Sequence, residues 1–463
     1  MIKVAHKIER EDILERIREG KIDGAPLSTS SLVDEIILSM KKNEIISCLN
    51  KAFPDKRADN AVVPFDLLFA LAIAAKMRVH TSLTDIPFAL TDHRTLAELG
   101  YSLRDTDRDM GKSLMTEGAI RALVGKYTAD EFLAGYNAFV QSQICPKMDL
   151  VPNIHILDCT KIEVNMKNNN YENAGIGVDS DGKAAKGYKL STLRGIVNDT
   201  GIIEDIRFGQ IQDHDLALSR EMILTSPCLK PGDILINDRG FISREVMNEL
   251  KTSRAVDTYI PLKENMQAKE MAVSCAKLEN NWEPHPNRKR ESQKIAFVTN
   301  LGEHWQSDCP EEDVDFNACV VWDQEADEHF VFVTTDLSKS AAQIIKTYEL
   351  RPEIEEDYRQ LKDFWKIEDF KSTKYNFIMF HIVFVLIGYL FFQLYTMLPG
   401  GEQWARKSLP IVLKSYQPKA QGYVVVYSGD CFGVLSLVEL MDIYADCSKG
   451  VRSVIAGFLE SNS

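Results

Sequence analysis

The sequence predicts an α/β protein that begins with a helical region. Residues 1–150 show the helical spacing of apolar side chains and few strand signals. Residues 154–263 alternate β-rich runs with helical segments in the order β-β-β-α-β-α-β. Residues 264–337 add further strand-like runs, and helical patterns return from Ser338. Together these observations predict the α/β class.

Composition and charge exclude several classes of protein. Of 463 residues, 45% are hydrophobic and 26% are charged, which excludes disordered, collagenous and disulfide-scaffold chains. The net charge of −14 argues against a basic nucleic-acid coat protein, although local charge matters more for DNA binding. Residues 308–328 contain nine acidic side chains and no Lys or Arg. Nine cysteines without a CxxC pair, and an N-terminus without a signal-peptide core, predict a cytoplasmic protein.

The first 150 residues are predicted to form a helical domain. Pro64 suits the first turn of one of its helices. Residues 145–152 have the composition of a linker. The helical patterns cover residues 8–20, 31–53, 64–79, 91–100 and 116–144.

Residues 151–263 are predicted to supply most of a sheet. The cluster Asn198-Asp199-Thr200 indicates a turn between the second and third strands. Ser243 is placed to cap the second of two helices. The predicted strands are 154–164, 187–197, 201–211, 233–241 and 257–263, and the predicted helices are Asp215–Thr225 and 243–251.

Three further segments follow. Residues 264–337 are predicted to form a β-rich insertion, residues 338–398 are helical, and residues 399–463 show mixed patterns without a functional signal. Residues 377–398 are apolar and long enough to cross a bilayer, which needs ~20 residues. A buried core helix is favoured over a membrane span, because the run contains His381 and other polar residues and follows a charged helix.

Two aspartates follow the apolar runs of predicted strands. Asp158 comes after the apolar run 154–157, and Asp238 follows the run 234–237. Ligands of open α/β sheets bind at the carboxyl ends of strands, so the two carboxylates lie side by side if the first and fourth strands are neighbours. Converging carboxylates can hold two divalent metal ions ~3.5–4 Å apart for phosphodiester chemistry. Each aspartate could instead be an ordinary turn or cap residue.

A third acidic residue belongs to a more specific pattern. Tyr348, Arg351, Glu355 and Lys362 fall on one narrow face at helical spacing. Pro352 is expected to begin the helix, which places the first two residues on the preceding turn. The alternative is a charged, solvent-facing helix. Two neighbouring acids compete with Glu355 for the role of third carboxylate, namely Glu353 and Glu356.

These motifs resemble those of bacterial insertion-sequence transposases of the DDE class, in the insertion-sequence-four-like branch with the YREK signature. The resemblance covers roughly residues 154–395 and matches residues 1–150 only by position and helical character. It implies an RNase H-like core with strand order 3-2-1-4-5 and a DNA-binding N-terminal domain. It also implies that Asp158, Asp238 and Glu355 are catalytic and bind Mg²⁺ or Mn²⁺, two ions in all, and that the long apolar helix lies in the core.

The resemblance implies the partners and the remaining roles. DNA is the partner, both the inverted repeats at the transposon ends and the target, and synapsis of two ends implies a homodimer on DNA. Tyr348, Arg351 and Lys362 would contact phosphates and bases. Relatives can form a DNA hairpin with a base stacked on an aromatic ring, for which the insertion offers three tryptophans: Trp282, Trp305 and Trp322.

The insertion also contains one dense basic cluster, Arg288-Lys289-Arg290, which could contact phosphates or be a solvated loop. Two alternative functions stay open at this point. One is a metal-dependent DNA nuclease on the same fold that cuts without joining, and the other is an inactive DNA-binding remnant.

Overall fold

The computed structural model has a mixed α/β architecture, which confirms the predicted fold class. It describes residues 2–90, 92–105, 114–179 and 182–460. These residues form two compact units. The first combines the residues up to Gly135 with those from Leu361 onward, and the second is Tyr136–Gln360. The helical segment 338–398 is therefore divided between the two units.

The elements were mostly predicted in position, and their bounds are as follows. The α-helices are α1 Arg10–Arg18, α2 Leu32–Lys42, α3 Ile45–Ala52, α4 Phe65–Met77, α5 His93–Glu98, α6 Glu117–Val124, α7 Ala129–Ala138, α8 Cys145–Lys147, α9 Asp215–Thr225, α10 Arg244–Arg254, α11 Gln267–Glu279, α12 Ala341–Tyr348, α13 Pro352–Asp363, α14 Tyr375–Met397, α15 Leu409–Ser415, α16 Leu437–Asp446 and α17 Lys449–Glu460. The strands are β1 Ile2–Lys7, β2 Leu27–Ser30, β3 Tyr101–Asp105, β4 Leu114–Met115, β5 Ile154–Val164, β6 Gly175–Val178, β7 Ala184–Val197, β8 Thr200–Gln210, β9 Ile234–Asn237, β10 Asp257–Pro261, β11 Glu283–Pro284, β12 Gln293–Val298, β13 Asn317–Asp323, β14 Glu328–Thr334, β15 Lys419–Ser428 and β16 Cys431–Ser436. A π-helical turn covers Phe139–Ile144.

The first unit contains a sheet built from both ends of the chain. Its strand order is β2-β15-β16-β1-β3, with β4 also pairing with β1. Strand β1 runs parallel to β16, and β2 runs antiparallel to β15. The sequence did not predict the N-terminal strands, because runs of two to six residues are too short to show alternation and depend on partners far away in the chain.

The long apolar helix α14 lies in the core of the first unit. It packs along α4, where the rings of Phe69 and Phe384 stack with centroids 5.2 Å apart. By length and hydropathy it could cross a membrane, but 89% of its most apolar window is buried inside the protein. Gly388 lets the side chain of Trp365 approach, since a Cβ there would lie 3.1 Å from the indole ring. The burial of this helix agrees with a core helix and gives no sign of a membrane span.

The second unit is organised around one long sheet. Its central strands are ordered β8-β7-β5-β9-β10, with β5, β9 and β10 mutually parallel and β7 and β8 antiparallel to their neighbours. Asn198 and Asp199 both have positive φ, 49° and 61°, in the tight turn between β7 and β8. Strand β14 of the insertion pairs antiparallel with β10, so the insertion extends this sheet. Helix α11 of the insertion was not predicted from the sequence.

Candidate active site

Asp158 and Asp238 lie side by side at the end of the parallel pairing between β5 and β9. The last paired residues are Leu157 and Asn237, and each aspartate is the next residue along its strand. Strand β5 itself continues to Val164, in agreement with the predicted bounds, so Asp158 lies within the strand at the point where its pairing with β9 stops. This register brings the two carboxylates to the same edge, as expected for neighbouring first and fourth strands.

Local hydrogen bonds orient both aspartates. The Asp158 Oδ1 accepts from the amide of Cys159 at 2.8 Å, and its side chain is 13% exposed. Asp238 precedes a short 3₁₀ turn, and its Oδ1 accepts from the amide of Arg239 at 2.6 Å. Asp238 is 39% exposed, so the pair lies half-open to solvent.

The third carboxylate comes from the junction of α12 and α13. Helix α12 ends with Tyr348 and α13 begins at Pro352. Arg351 therefore lies on the intervening turn, as the proline predicts, whereas Tyr348 is the last residue of α12 and does not belong to that turn. The turn is closed by the Arg351 amide, which donates to the Tyr348 carbonyl at 2.9 Å. Glu355 follows on the first turn of α13 and is 57% exposed.

Arg351 joins all three carboxylates. Its Nη2 lies 2.9 Å from Asp158 Oδ2 and 3.6 Å from Asp238 Oδ2. Its Nη1 lies 2.5 Å from Glu355 Oε1. Asp158, Asp238 and Glu355, which we call the carboxylate trio, therefore converge on one guanidinium although they come from three separate segments of the chain.

Burial and the surrounding charges shift the pKa values of Asp158, Arg351 and Tyr348. Burial raises the pKa of the Asp158 carboxyl to about 6; Arg351 and the Cys159 amide oppose this rise, and the charges of Asp238 and Glu355 add to it. Burial alone would lower the pKa of Arg351, but the carboxylates around it raise that pKa overall. Burial also raises the pKa of Tyr348, whose ring packs against Phe332 with centroids 4.6 Å apart.

The family comparison decides what kind of protein carries this site. Residues 153–391, just over half of the chain, match the family model of the transposase DDE domain. The chain belongs to this transposase family. Membership makes it a nucleic-acid-cleaving enzyme of the transposase kind, from a class of DNA-acting proteins that generally use divalent metal ions. A comparison with curated proteins gives no match.

The carboxylate trio of the transposase suits a hard divalent cation. Mg²⁺ and Mn²⁺ prefer carboxylate oxygens, and three carboxylates from different segments converge here. Within the described residues, no group of three or more His, Cys, Asp and Glu side chains is arranged to hold a metal ion directly. The trio surrounds the Arg351 guanidinium instead. The negative charge of the site therefore suits a cation, and the positive charge present there is that of the Arg351 side chain.

The two competing acids of α13 point elsewhere in the transposase. Glu353 lies 3.1 Å from Arg194 Nη1. Glu356 pairs with Arg359 at 2.6 Å on the exposed side of the same helix. Of the three acids considered from the sequence, Glu355 is the one that contacts Arg351.

Sequence reasoning missed the residues that fix α13 onto the sheet. The Tyr358 hydroxyl donates to the main-chain carbonyl of Asp158 at 2.7 Å and also lies 2.7 Å from the Thr192 hydroxyl. Arg194 of β7 pairs with Asp357 at 2.5 Å in a buried site. The available signal was an arginine inside a strand-like run, since an arginine buried in a sheet needs a charged partner.

The basic residues that were predicted to contact DNA lie in two different places in the structure. Arg290 Nε lies 3.1 Å from Glu349, the neighbour of Tyr348, and Arg288 and Lys289 are exposed on the same loop. The loop is therefore docked beside the turn that carries Arg351. Lys362 lies at the last turn of α13, in the first unit, where its ammonium is 3.1 Å from Glu368.

The three tryptophans of the insertion all contact other rings. Trp282 and Trp322 lie 5.4 Å apart, and Trp322 stacks on His329 at 6.0 Å. Trp305 packs edge-on against Phe316 at 6.0 Å. Each indole is partly buried, as expected of residues that stabilise the insertion.

Proposed function

We propose that the protein is an insertion-sequence-four-like transposase with the YREK signature, which cuts DNA at the ends of its element and joins the freed ends to new DNA. The observation that carries this proposal is the convergence of Asp158, Asp238 and Glu355 on Arg351 within a transposase DDE domain. Tyr348 and Arg351 are two further members of the signature, and they lie beside these carboxylates.

An RNase H-like core is the proposed scaffold. The order β8-β7-β5-β9-β10 corresponds to 3-2-1-4-5 when the strands are numbered from β5 without the short β6. The first three strands are antiparallel and the last two are parallel to the first, which supports this assignment. Asp158 on the first strand and Asp238 after the fourth then occupy the usual ligand-binding edge of an α/β sheet.

The proposed mechanism gives each side chain a task. Asp158, Asp238 and Glu355 would hold two Mg²⁺ or Mn²⁺ ions, which supply Lewis-acid stabilisation of the attacking and leaving oxygens. Hydrolysis by water at the element's end would free a 3′-OH, which then attacks target DNA or the opposite strand. Tyr348, with its hydroxyl kept protonated, and Arg351 would donate hydrogen bonds to phosphate oxygens.

Further partners and sites complete the proposal. Lys362 and the loop cluster of Arg288, Lys289 and Arg290 would contact DNA phosphates, with the loop docked beside the active site through Glu349. The N-terminal helices would bind the transposon end, and pairing of two ends would require a homodimer on DNA. The place of action would be the cytoplasm.

A cleavage and joining assay tests the proposal. Purified protein is incubated with labelled DNA carrying the natural flanks of its gene, a target plasmid, and Mg²⁺ or Mn²⁺. We expect metal-dependent cleavage and joined product, with Asp158→Asn, Asp238→Asn and Glu355→Gln each reducing both at least about a hundredfold, a typical loss for a metal-ligand or catalytic group. Glu356→Gln is the matched control on the same helix and should retain activity.

The outcomes separate the alternative functions. Cleavage without joined product would identify a nuclease on the same fold and refute the transfer step. Specific DNA binding without any metal-dependent cleavage would identify an inactive remnant. Full activity of Glu355→Gln together with loss in Glu356→Gln would show that the third carboxylate is wrongly assigned.

A further inference from the structure

Arg351 occupies the centre of the carboxylate trio in the protein without DNA. Its two terminal nitrogens contact all three carboxylates at 2.5 to 3.6 Å. We propose that this guanidinium is a gate, which takes the place of the metal cation until a DNA phosphate draws it away. DNA binding and metal binding would then assist each other. This inference rests on the proposed function, because it concerns the regulation of the same carboxylates.

The charges of the trio require a cation. Three carboxylates that converge in a partly buried site repel one another unless positive charge lies between them. Asp158 and Arg351 are only 13% and 16% exposed, so solvent screens the charges of these two residues weakly. If a guanidinium and a divalent metal ion bound the same carboxylate oxygens, their positive charges would also repel each other. Occupation by Arg351 must therefore weaken metal binding.

The position of Arg351 allows it to leave without unfolding its surroundings. It lies on the short turn between α12 and α13. Among the described residues its Nε has no hydrogen-bond partner, and the hydrogen bonds of its side chain go to the carboxylates of Asp158 and Glu355. A rotation of this one side chain would expose the trio.

A phosphate diester of DNA is the acceptor that fits the released guanidinium. The planar arginine fork binds phosphate oxygens through two parallel hydrogen bonds. The approach is already basic, because the loop with exposed Arg288 and Lys289 is docked two residues from Arg351 through the contact between Arg290 and Glu349. A phosphate that reaches this surface comes close to the Arg351 guanidinium.

Coupling of this kind is reciprocal. If DNA raises the affinity for the metal by some factor, the metal must raise the affinity for DNA by the same factor. The free enzyme would thus bind metal weakly and cut little DNA at random, whereas the DNA-bound enzyme would load its metal.

Mn²⁺ titration of the full-length protein tests the gate, with free Mn²⁺ followed by electron paramagnetic resonance. Without DNA, Arg351→Gln should bind Mn²⁺ about tenfold more tightly than wild type, within the usual range of coupled sites. Arg359→Gln, on the exposed side of α13, is the matched control and should bind as wild type does. Duplex DNA from the gene's flanks should tighten Mn²⁺ binding to wild type and have little effect on Arg351→Gln.

Two results would overturn the gate, and a third bears on the proposed function. The coupling is refuted if Arg351→Gln binds Mn²⁺ no better than wild type does. It is also refuted if DNA leaves the Mn²⁺ affinity of the wild type unchanged. Neither result argues against the metal site itself. The proposed metal site itself is refuted if Asp158→Asn leaves Mn²⁺ affinity unchanged in every background tested, both with and without DNA. Arg351→Lys, which keeps one positive charge, should give an intermediate affinity and replaces Arg351→Gln if that variant does not fold.

Discussion

Tyr358 connects the helix of Glu355 to the strand of Asp158 through a single hydroxyl group. The hydroxyl donates to the Asp158 carbonyl and contacts Thr192, and the ring is buried. Because Tyr358 lies one helical turn after Glu355, its anchorage also fixes the position of that carboxylate. We regard Tyr358 as a positioning residue for the carboxylate trio.

Replacement of Tyr358 by Phe should weaken both the fold and the site. Loss of the hydroxyl leaves a buried acceptor unpaired, which costs about 1–3 kcal/mol of unfolding free energy. We also expect Mn²⁺ affinity to fall severalfold, because Glu355 loses its fixed distance to Asp158. Urea unfolding and Mn²⁺ titration measure the two effects. Tyr444→Phe is the control, and unchanged Mn²⁺ affinity in Tyr358→Phe would reject the positioning role.

At the level of single residues, the sequence predicted which carboxylates belong together but not what lies between them. Asp158, Asp238 and Glu355 were found from strand ends and helical spacing, which are local patterns. Arg351 was expected to contact DNA, and its contacts with the trio depend on a rotamer that spacing does not encode. Tyr358 resembled an ordinary core aromatic, because its hydrogen bond joins residues 200 positions apart.

At the scale of elements, a buried histidine joins the opposite ends of the strands that carry the site. His155 of β5 lies between Glu204 of β8 at 2.8 Å and Asp233, just before β9, at 3.1 Å. Burial alone would lower the pKa of His155, but hydrogen bonds to Asp233 and Glu204 raise it to about 9. The charged imidazole thus holds three strands together.

This histidine predicts a pH dependence of stability. A histidine with a raised pKa stabilises the folded state fully below its unfolded pKa of ~6.5, and the contribution disappears as pH rises through about 9. The free energy of unfolding should therefore fall between pH 7 and 9.5, which urea titration at several pH values measures. His155→Gln should abolish this pH-dependent fall in the free energy of unfolding. His304→Gln is the control and should show the same fall as wild type. An equal fall in His155→Gln would mean that another group is responsible.

Elements were predictable where their pattern is local. Strand β5 and helix α9 have the bounds that the sequence predicts, because alternation and helical spacing identify them without partners. Strands β1 and β2 were missed, since their partners β16 and β15 lie at the other end of the chain. Helix α11 was missed because strand-like runs surround it.

At the scale of the whole molecule, the first unit is closed by contacts between the two ends of the chain. Gly433 of β16 lies directly beneath Ile13 of α1, and a Cβ there would approach Ile13 side-chain atoms at 2.5 Å. Only a residue without a side chain permits this approach. The N-terminal and C-terminal segments are therefore matched to each other in shape.

Gly433→Ala should destabilise the first unit. Overpacking of a close contact costs typically 1–3 kcal/mol, so we expect a loss of about 2 kcal/mol of unfolding free energy in urea. Gly457→Ala is the matched control, because a Cβ there meets nothing within 4 Å and alanine favours the helix by up to ~1 kcal/mol. If both variants unfold at the same urea concentration, the close packing of β16 on α1 is not important for stability.

The sheet that pairs β1 with β16 also sets the order of events during synthesis on the ribosome. Residues 136–360 have all emerged, and can begin to fold, while β1 still lacks its partner at 431–436. The first unit thus combines segments that are made before and after the second unit, with a loop closure of more than 400 residues that slows its completion. During that interval the apolar face of α1 lacks the strands β15 and β16 that cover it, so the growing polypeptide should be a client for chaperones until both strands have been made.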